Sequence, residues 1–534
     1  MNEVEHHEAI VIGAGFSGIG MLNRLKGVGV NALCLEAGGD VGGVWYWNKY
    51  PGARTDSEAW YYCFSVSDEI GQEWDWTERY PAQGEVRKYL SYAADKFDVR
   101  DSIVFNAKVD KAAFDPVSKL WTVEVGDKTY SCRFLISAMG ILSSVFVPPF
   151  PGLDEFDGRV ILTARWPDEE PDFNGRRVGL IGTGATGVQI TPMVSQVAKS
   201  LTVFQRTANF IIPAQNHELD DDFRADIKAR YPEIWRQADR HAFAMPFETT
   251  GRLARDFSDE QRHEIFEEGW RRGGFRFLFE TFDDILTDDE CNAAAVAFIH
   301  FKIRSIVEDP AKAELLCPKD HPYGSKRPPA GHGYYEAYNN PNVSLVDISK
   351  NKIARVVPQG LQLDDGTIHE FDDLIVATGF DAFTGALTSV DIRGVSGTSI
   401  AEKWTDGAKT LFGIATHDFP NFFMITGPLS TFGNVPSTIE SNIAWIGDAI
   451  EHVRSRGDSV VMEVSEEAEV DWANLSQEVI DATLIREGAS AHSWILGANI
   501  PGKKVAPVAF LGGYNNYVDM LRAESAPYPK FELK

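Results

Sequence analysis

Two glycine-rich stretches constrain the fold of this chain more than any other feature. Gly13-Ala14-Gly15-Phe16-Ser17-Gly18 follows the apolar run Ala9–Ile12, and Gly182-Thr183-Gly184-Ala185-Thr186-Gly187 follows Arg177–Ile181. Each reads G-x-G-x-x-G. A helical pattern comes next, to Leu25 in the first case and Ala198 in the second, and then a short strand, Ala32–Leu35 or Leu201–Phe204. In such a βαβ unit the glycines permit a tight turn and close backbone approach, and the helix N-terminus faces a pyrophosphate. Two complete units predict an α/β chain with two Rossmann-like dinucleotide-binding domains.

The two units end differently. The first closes on Glu36, whereas the second runs into Gln205-Arg206-Thr207. An acid at this position suits free ribose hydroxyls, and an arginine can hold a 2′-phosphate. The first unit therefore suits FAD, through Gly13, Gly15, Ser17, Gly18 and Glu36. The second suits NADPH, through Thr183, Gly184, Ala185, Thr186, Gly187, Val188, Gln189, Arg206 and Thr207.

Length and charge narrow the class further. At 534 residues the chain exceeds one ordinary core. A net charge of −27, spread along the chain, argues against nucleic acid as a partner. The five cysteines are scattered without a C-x-x-C pair, so buried free thiols are expected, with no metal site and no redox disulfide. The N-terminal residues carry no basic stretch ahead of an apolar one, and no apolar run reaches about 18 residues. A cytoplasmic monomer that meets no membrane is the expectation.

Between and beyond the two units the character of the chain changes several times. Gly42 to Asp56 mixes aromatics with Gly and Pro and reads as a long ordered loop. Gly84–Phe97 reads as an amphipathic helix, Val104–Leu135 as short strands, and Phe134–Ala138 as a buried strand. Pro148, Pro149 and Pro151 mark a linker. From His217 to about Lys319 the pattern is helical, and Phe275–Phe279 (FRFLF) within it reads first as a packed helix face, with a cavity wall as the weaker alternative. Ser325-Lys326-Arg327-Pro328-Pro329 is a basic turn that no helix tolerates. Strands are expected at Val343–Val346, Leu361–Leu363, Leu374–Ala377 and Phe422–Gly427, with a helix from Thr438 to about Arg454. Ser493 to Lys503 is a glycine- and proline-broken loop.

One more stretch identifies a family. Phe156 to Pro167 reads FDGRVILTARWP, and it resembles the type I Baeyer–Villiger monooxygenase signature F-x-G-x-x-x-H-T-x-x-W-P at Phe156, Gly158, Thr163, Trp166 and Pro167. GGVWYWNKYPGARTD, residues 42–56, is similar to that family's second signature. The segments GGFRFLFETF and SWILGANIPGKK are most like cyclohexanone monooxygenases, while GVWYWN, YPGAR and PAQN are equally like phenylacetone monooxygenases. The resemblance spans about residues 8 to 520.

The resemblance implies an interleaved order: FAD-binding parts at 1–145 and 376–534, NADPH-binding parts at 146–216 and 321–375, and a helical insertion at 217–320. It implies a monooxygenase that uses FAD, NADPH and O₂ to insert oxygen beside a ketone carbonyl through a peroxyflavin, giving an ester or lactone. Arg327 matches the catalytic arginine and Asp56 the carboxylate that orients it. Cofactor contacts are further implied at Val44, Trp45, Tyr46, Trp47, Arg54, Thr55, Asp56, Tyr62, Val109 and Val435. Lys326 joins Arg206 around the 2′-phosphate, Arg327 also touches the cofactor, and Trp494 belongs to a lid over it.

Leu162 departs from the pattern, since the family has histidine there, and leucine neither hydrogen-bonds nor titrates. A working oxygenase, an uncoupled NADPH oxidase and a divergent relative with altered cofactor handling are the competing readings. Residues 429–433, LSTFG, differ from the substrate loop of cyclohexanone monooxygenases, so substrate preference does not carry over. A sulfide or amine oxygenase is the chemical alternative. A non-catalytic sensor would not require Arg327 and Asp56, and a disulfide reductase would require a cysteine pair that the chain lacks.

Overall fold

The computed structural model describes residues 4–534. Both glycine-rich units form as expected, and each seeds its own sheet. In the first, strand Glu5–Ile12 lies between Ala32–Leu35 and Lys128–Ser137 and is parallel to both. Ile103–Val104 extends one side. Phe422–Met424, from the last quarter of the chain, adds in parallel to the distal half of Lys128–Ser137. Antiparallel strands Leu120–Val125 and Lys111–Asp115, followed by Asp391–Arg393, complete the eight-stranded sheet.

The second sheet has five parallel strands in the order Val343–Asp347, Ser200–Gln205, Arg177–Ile181, Asp373–Val376, Arg159–Leu162. Its edge strand is the first half of the FDGRVILTARWP stretch, which sequence periodicity had not marked as a strand. A three-stranded antiparallel sheet at 353–370 flanks it. Between residues 217 and 319 the described elements are helical, chiefly Asp221–Arg240, Asp259–Arg272 and Asp289–Ile306. Strands on both sides of that segment return to the second sheet; after Ser389, Asp391–Arg393 and Phe422–Met424 return to the first, and Met462–Val464 pairs with Phe531–Leu533 in a separate two-stranded sheet.

Glycine at the third fingerprint position is required in both units. A Cβ on Gly18 would collide with the Gly13 carbonyl oxygen, and one on Gly187 with that of Gly182. The helices Phe16–Gly27 and Ala185–Ser195 therefore pack against their own entry turns. Their N-caps, Gly15 and Gly184, supply no side-chain cap, so the first-turn N–H groups face outward unpaired by side chains.

Several expectations needed revision. Residues 42–56 are not wholly loop, because Val44–Trp47 closes one helical turn begun by Gly43. The strand expected over Phe422–Gly427 stops at Met424. The helix expected from Thr438 starts at Val435 and runs to Arg456, with Pro436 in its first turn where proline fits. All five cysteines are buried and free. Among the described residues no helix is long and apolar enough to cross a membrane.

Candidate active site

A cavity of about 1010 Å³ opens between the two βαβ units and the helical segment. Its floor on the first-sheet side comes from the 42–62 segment: Val44, Trp45, Arg54, Thr55, Asp56 and Tyr62. This segment is pinned to the second unit. The Tyr50 hydroxyl donates to Gln189 Oε1 at 3.0 Å, and Gln189 Nε2 donates to the Arg54 carbonyl at 3.1 Å. Gly52, at φ +83°, lies so close to the Gln189 carbonyl that a Cβ would not fit. Arg165 lies 4.6 Å from the Trp47 ring centroid, and Lys49 pairs with Asp168 at 2.5 Å, so FDGRVILTARWP and the residue after it clasp the same segment.

Asp56 and Arg327, separated by 271 residues, meet here as an ion pair: Arg327 Nη2 donates to Asp56 Oδ2. The Asp56 side chain is 5% exposed and that of Arg327 27%, so the carboxylate is enclosed while the guanidinium reaches the cavity. Burial pushes the Asp56 carboxyl above its ordinary range, and the Arg327 charge opposes that shift. Burial also holds the Tyr50 and Tyr62 phenols at about 12, so both keep their protons. The Arg327 carbonyl accepts from Asn209 Nδ2 at 3.3 Å, which fixes the turn from behind.

The wall facing Arg327 is apolar and aromatic: Phe243, Met245, Phe275, Leu278, Phe279 and Phe432. Phe243 packs on Phe279 at 4.6 Å and meets Phe432 edge-on at 6.2 Å, and Phe432 meets Trp494 at 5.7 Å. The FRFLF segment is thus split. Phe277 is 0% exposed in the core, whereas Phe275, Leu278 and Phe279 face the cavity. The packed-face reading holds for one of its phenylalanines only, because a single helical turn, Arg276–Phe279, fans the rest outward.

Behind this wall Glu58, 1% exposed, takes Arg79 at 2.5 Å and Arg276 at 2.9 Å, tying the helical segment to the first sheet. A buried carboxylate between two guanidiniums is tolerable only because it is so fully paired.

The far end of the cavity is cationic. Thr183, Gly184, Ala185 and Thr186 line it beside Arg206, Thr207 and Lys326. Among the described residues neither Arg206 nor Lys326 has a carboxylate within ion-pair distance. Burial, then the Arg206 charge, holds the Lys326 ammonium down at about 8. Two cations confronting each other without an ion-pair partner, the nearby Asp320 being engaged by His321, fit a doubly charged ligand group.

Glu36 sits at the end of the first unit, outside this cavity, accepting from the Ala14 and Gly38 N–H groups at 2.6 Å each. Gly13, Gly15, Ser17 and Gly18 surround the same entry turn. Tyr46 lies beside Gly38 and Gly39, its hydroxyl accepting from the Gly39 N–H at 3.2 Å. Other anticipated contacts also lie off the cavity lining: the Val109 and Val188 side chains lie in core clusters, Trp47 stacks under Arg165, and Gly187 packs on the Gly182 carbonyl of its own entry turn. Val435 and Trp494 do line the cavity. Sequence reasoning missed Phe243 and Asn209, which carry no motif and come from separate segments, while Phe432 lies in the 429–433 stretch already matched to a substrate-loop position.

Three comparisons place this geometry among known proteins. Residues 6–233 match the family "Flavin-binding monooxygenase-like". The chain is 42% identical to a Baeyer–Villiger monooxygenase of Pseudooceanicola batsensis over 97% of this chain and 94% of that protein. It is 39% identical to a phenazine N-monooxygenase of Lysobacter antibioticus over 100% of this chain and 98% of that one. A crystal structure of cyclohexanone monooxygenase from Rhodococcus sp. Phi1 bound to NADP⁺ superposes with a TM-score of 0.96 at 39% identity, covering 100% of both chains.

Proposed function

The chain belongs to the FAD-dependent Baeyer–Villiger monooxygenases, and we propose that the Asp56–Arg327 pair is its reaction centre, acting on ketones held against the Phe243–Phe279–Phe432 wall. The observation that carries this reading is a fixed guanidinium, backed by an enclosed carboxylate, aimed into an otherwise aromatic cavity.

The residues present fit both cofactors. The uncapped helix at Gly15 and the doubly occupied but still acceptor-rich Glu36 carboxylate suit the FAD pyrophosphate and ribose. The uncapped helix at Gly184, open where a Cβ would point, suits the NADPH pyrophosphate, and the unpaired Arg206 and Lys326 suit its 2′-phosphate. When bound, FAD reduced by NADPH supplies the oxygen-transfer chemistry with O₂.

The chain's own part is electrostatic and steric. The Arg327 guanidinium reaches into the cavity, where it would stabilise the negative charge that develops on a ketone oxygen as its carbonyl carbon is attacked. Such preorganised charge in a dry site contributes on the order of 10²–10³ in rate. Asp56 anchors the guanidinium through the Nη2–Oδ2 bond and so restrains it from swinging toward solvent. The aromatic wall excludes water and orients the migrating carbon. With both neighbouring tyrosines protonated, Arg327 is the charged donor reaching this part of the cavity.

The phenazine relative supports a second reading, oxygenation of a heteroaromatic ring nitrogen, for which the aromatic wall of Phe243, Phe279 and Phe432 also offers apolar ring contacts. A panel of ketones and nitrogen heteroaromatics decides between them, with NADPH loss, hydrogen peroxide, ester and N-oxide measured together. Ester from ketones supports the first reading, N-oxide without ester the second, and peroxide alone refutes both.

A further inference from the structure

The cationic end of the cavity has a contributor that neither fingerprint predicts. The turn Leu484–Ala489 and the residues after it press on the Ser325–Lys326–Arg327 turn so closely that a Cβ on Gly488 would overlap the Ser325 carbonyl. The Ser493 N–H donates back to the Gly488 carbonyl at 2.9 Å, and His492 is held at φ +57°, with its imidazole hydrogen-bonded to the Ala498 backbone. A non-glycine residue kept in the left-handed region is held there by its surroundings. His492 and Ser490 line the same cavity wall as Arg206 and Lys326.

We propose that His492 is a third, pH-dependent ligand of the NADPH 2′-phosphate, brought to Arg206 and Lys326 by the 484–493 turn. This rests on the assignment of Arg206 and Lys326 to that phosphate.

The charge arrangement gives the inference its direction. Without ligand, burial, then the Arg206 charge and the nearby Lys326, hold the His492 imidazole below its ordinary range, so it is largely neutral at pH 7. The one acid facing it, Asp320, is engaged by His321 Nδ1 at 2.6 Å. A dianionic phosphate set among these groups reverses the field and favours the imidazolium. A group whose pKa rises on binding adds affinity in full below its free-state pKa and loses it as pH rises through the bound-state pKa. The binding step therefore takes up a proton at His492 in the acidic range, and a second at Lys326 near pH 8, where that ammonium titrates in the free protein.

The test is calorimetric titration of the FAD-loaded protein with 2′,5′-ADP and with 5′-AMP, which lacks only the 2′-phosphate. Titrations run from pH 6 to 8.5 in buffers of differing ionisation heat. For His492→Gln, affinity for 2′,5′-ADP falls about threefold to fivefold at pH 6, the range of an exposed ion pair, and matches the wild type at pH 8. Proton uptake near pH 6–7 disappears, while that near pH 8 persists. 5′-AMP binding is unchanged, and His492→Arg restores tight binding with the His492-linked proton uptake in the acidic range gone and only the Lys326-linked dependence near pH 8 remaining. Equal 2′,5′-ADP affinity of wild type and His492→Gln at pH 6 overturns the proposal, as does an equal loss with 5′-AMP. Arg206→Ala is the separate control: if it leaves 2′,5′-ADP binding intact, the phosphate assignment itself fails, whatever His492 does.

Discussion

Replacing Arg327 by alanine perturbs catalysis and stability through one pair of atoms, so both can be worked from the structure. Asp56 loses the guanidinium that faces its Oδ2, while its Oδ1, buried without a side-chain partner, offers no alternative. Removing one member of a buried pair costs about 3–5 kcal/mol when the survivor stays charged. Arg327 is 27% exposed, so water compensates part of this and about 2–3 kcal/mol is expected. Burial already raises the Asp56 carboxyl, and without Arg327 it rises further. A carboxyl whose folded pKa lies above its unfolded value favours the folded state while protonated and costs stability as pH climbs through the folded pKa. The deficit of Arg327→Ala relative to wild type is therefore small near pH 5 and larger at pH 8.

Catalytically, loss of the fixed charge removes on the order of 10²–10³ in ester formation, while NADPH still reduces the bound flavin within about threefold. Rapid-mixing absorbance follows reduction, gas chromatography follows ester, and thermal melts at pH 5.5, 7 and 8 follow stability. Arg327→Lys separates the roles: it restores much of the stability by keeping a cation on Asp56, yet stays about tenfold or more below wild type in ester because ammonium lacks the planar fork. Ester formation above one-tenth of wild type in Arg327→Ala would remove Arg327 from the reaction centre. A melting-temperature deficit independent of pH would refute the account of Asp56.

Three further substitutions test other parts of the site. Lys326→Met is expected to raise the melting temperature of the NADPH-free protein at pH 7, since the ammonium is charged there against burial and the Arg206 charge. The gain shrinks as pH rises from about 8 through the unfolded-state lysine range, where the wild-type lysine is increasingly neutral in the fold. Gly52→Ala places a Cβ against the Gln189 carbonyl at positive φ, so it costs about 1–3 kcal/mol in a thermal melt and weakens NADP⁺ binding by calorimetry, with FAD content unchanged. Leu162→His puts an imidazole into the half-buried apolar cluster of Phe150, Phe156 and Val160, of which Phe150 lines the cavity and residue 162 does not. It should cost about 1–2 kcal/mol and leave the ratio of ester to NADPH consumed within twofold, and a large gain in that ratio would show that a histidine function is missing here.

The parts of this protein that were legible in the sequence are those in which local spacing fixes geometry. In both fingerprints the third glycine sits under the carbonyl of the first, a contact only five residues apart in the chain, so the motif alone carries it. The Glu36 and Arg206 contrast was equally local, lying at the ends of second strands whose register is set within each unit. The Asp56–Arg327 pair lies at the other extreme. Nothing in the spacing of two residues 271 apart says that they meet, and only resemblance to a family joined them. The aromatic wall was only partly legible: FRFLF carried a cavity wall as its weaker reading and 429–433 matched the position of a substrate loop, whereas Phe243 had no signal, and nothing in the spacing joined the three elements.

The same contrast explains why Leu162 need not disable the site. The stretch FDGRVILTARWP meets the rest of the protein in two ways. Its first half is an edge strand, joined to Asp373–Val376 by backbone pairing, and there Leu162 faces an apolar cluster. Its second half and the residue after it reach the 42–56 segment through Arg165 on Trp47 and Asp168 on Lys49. That segment carries Asp56, and it touches the second nucleotide unit through Tyr50 and Gly52. A mechanical link between the NADPH unit and the reaction centre therefore runs through Trp47, Gln189 and Asp56 without requiring a titratable group at 162. What a histidine there could add is a proton, and the centre built around Arg327 is arranged to hold a permanent charge.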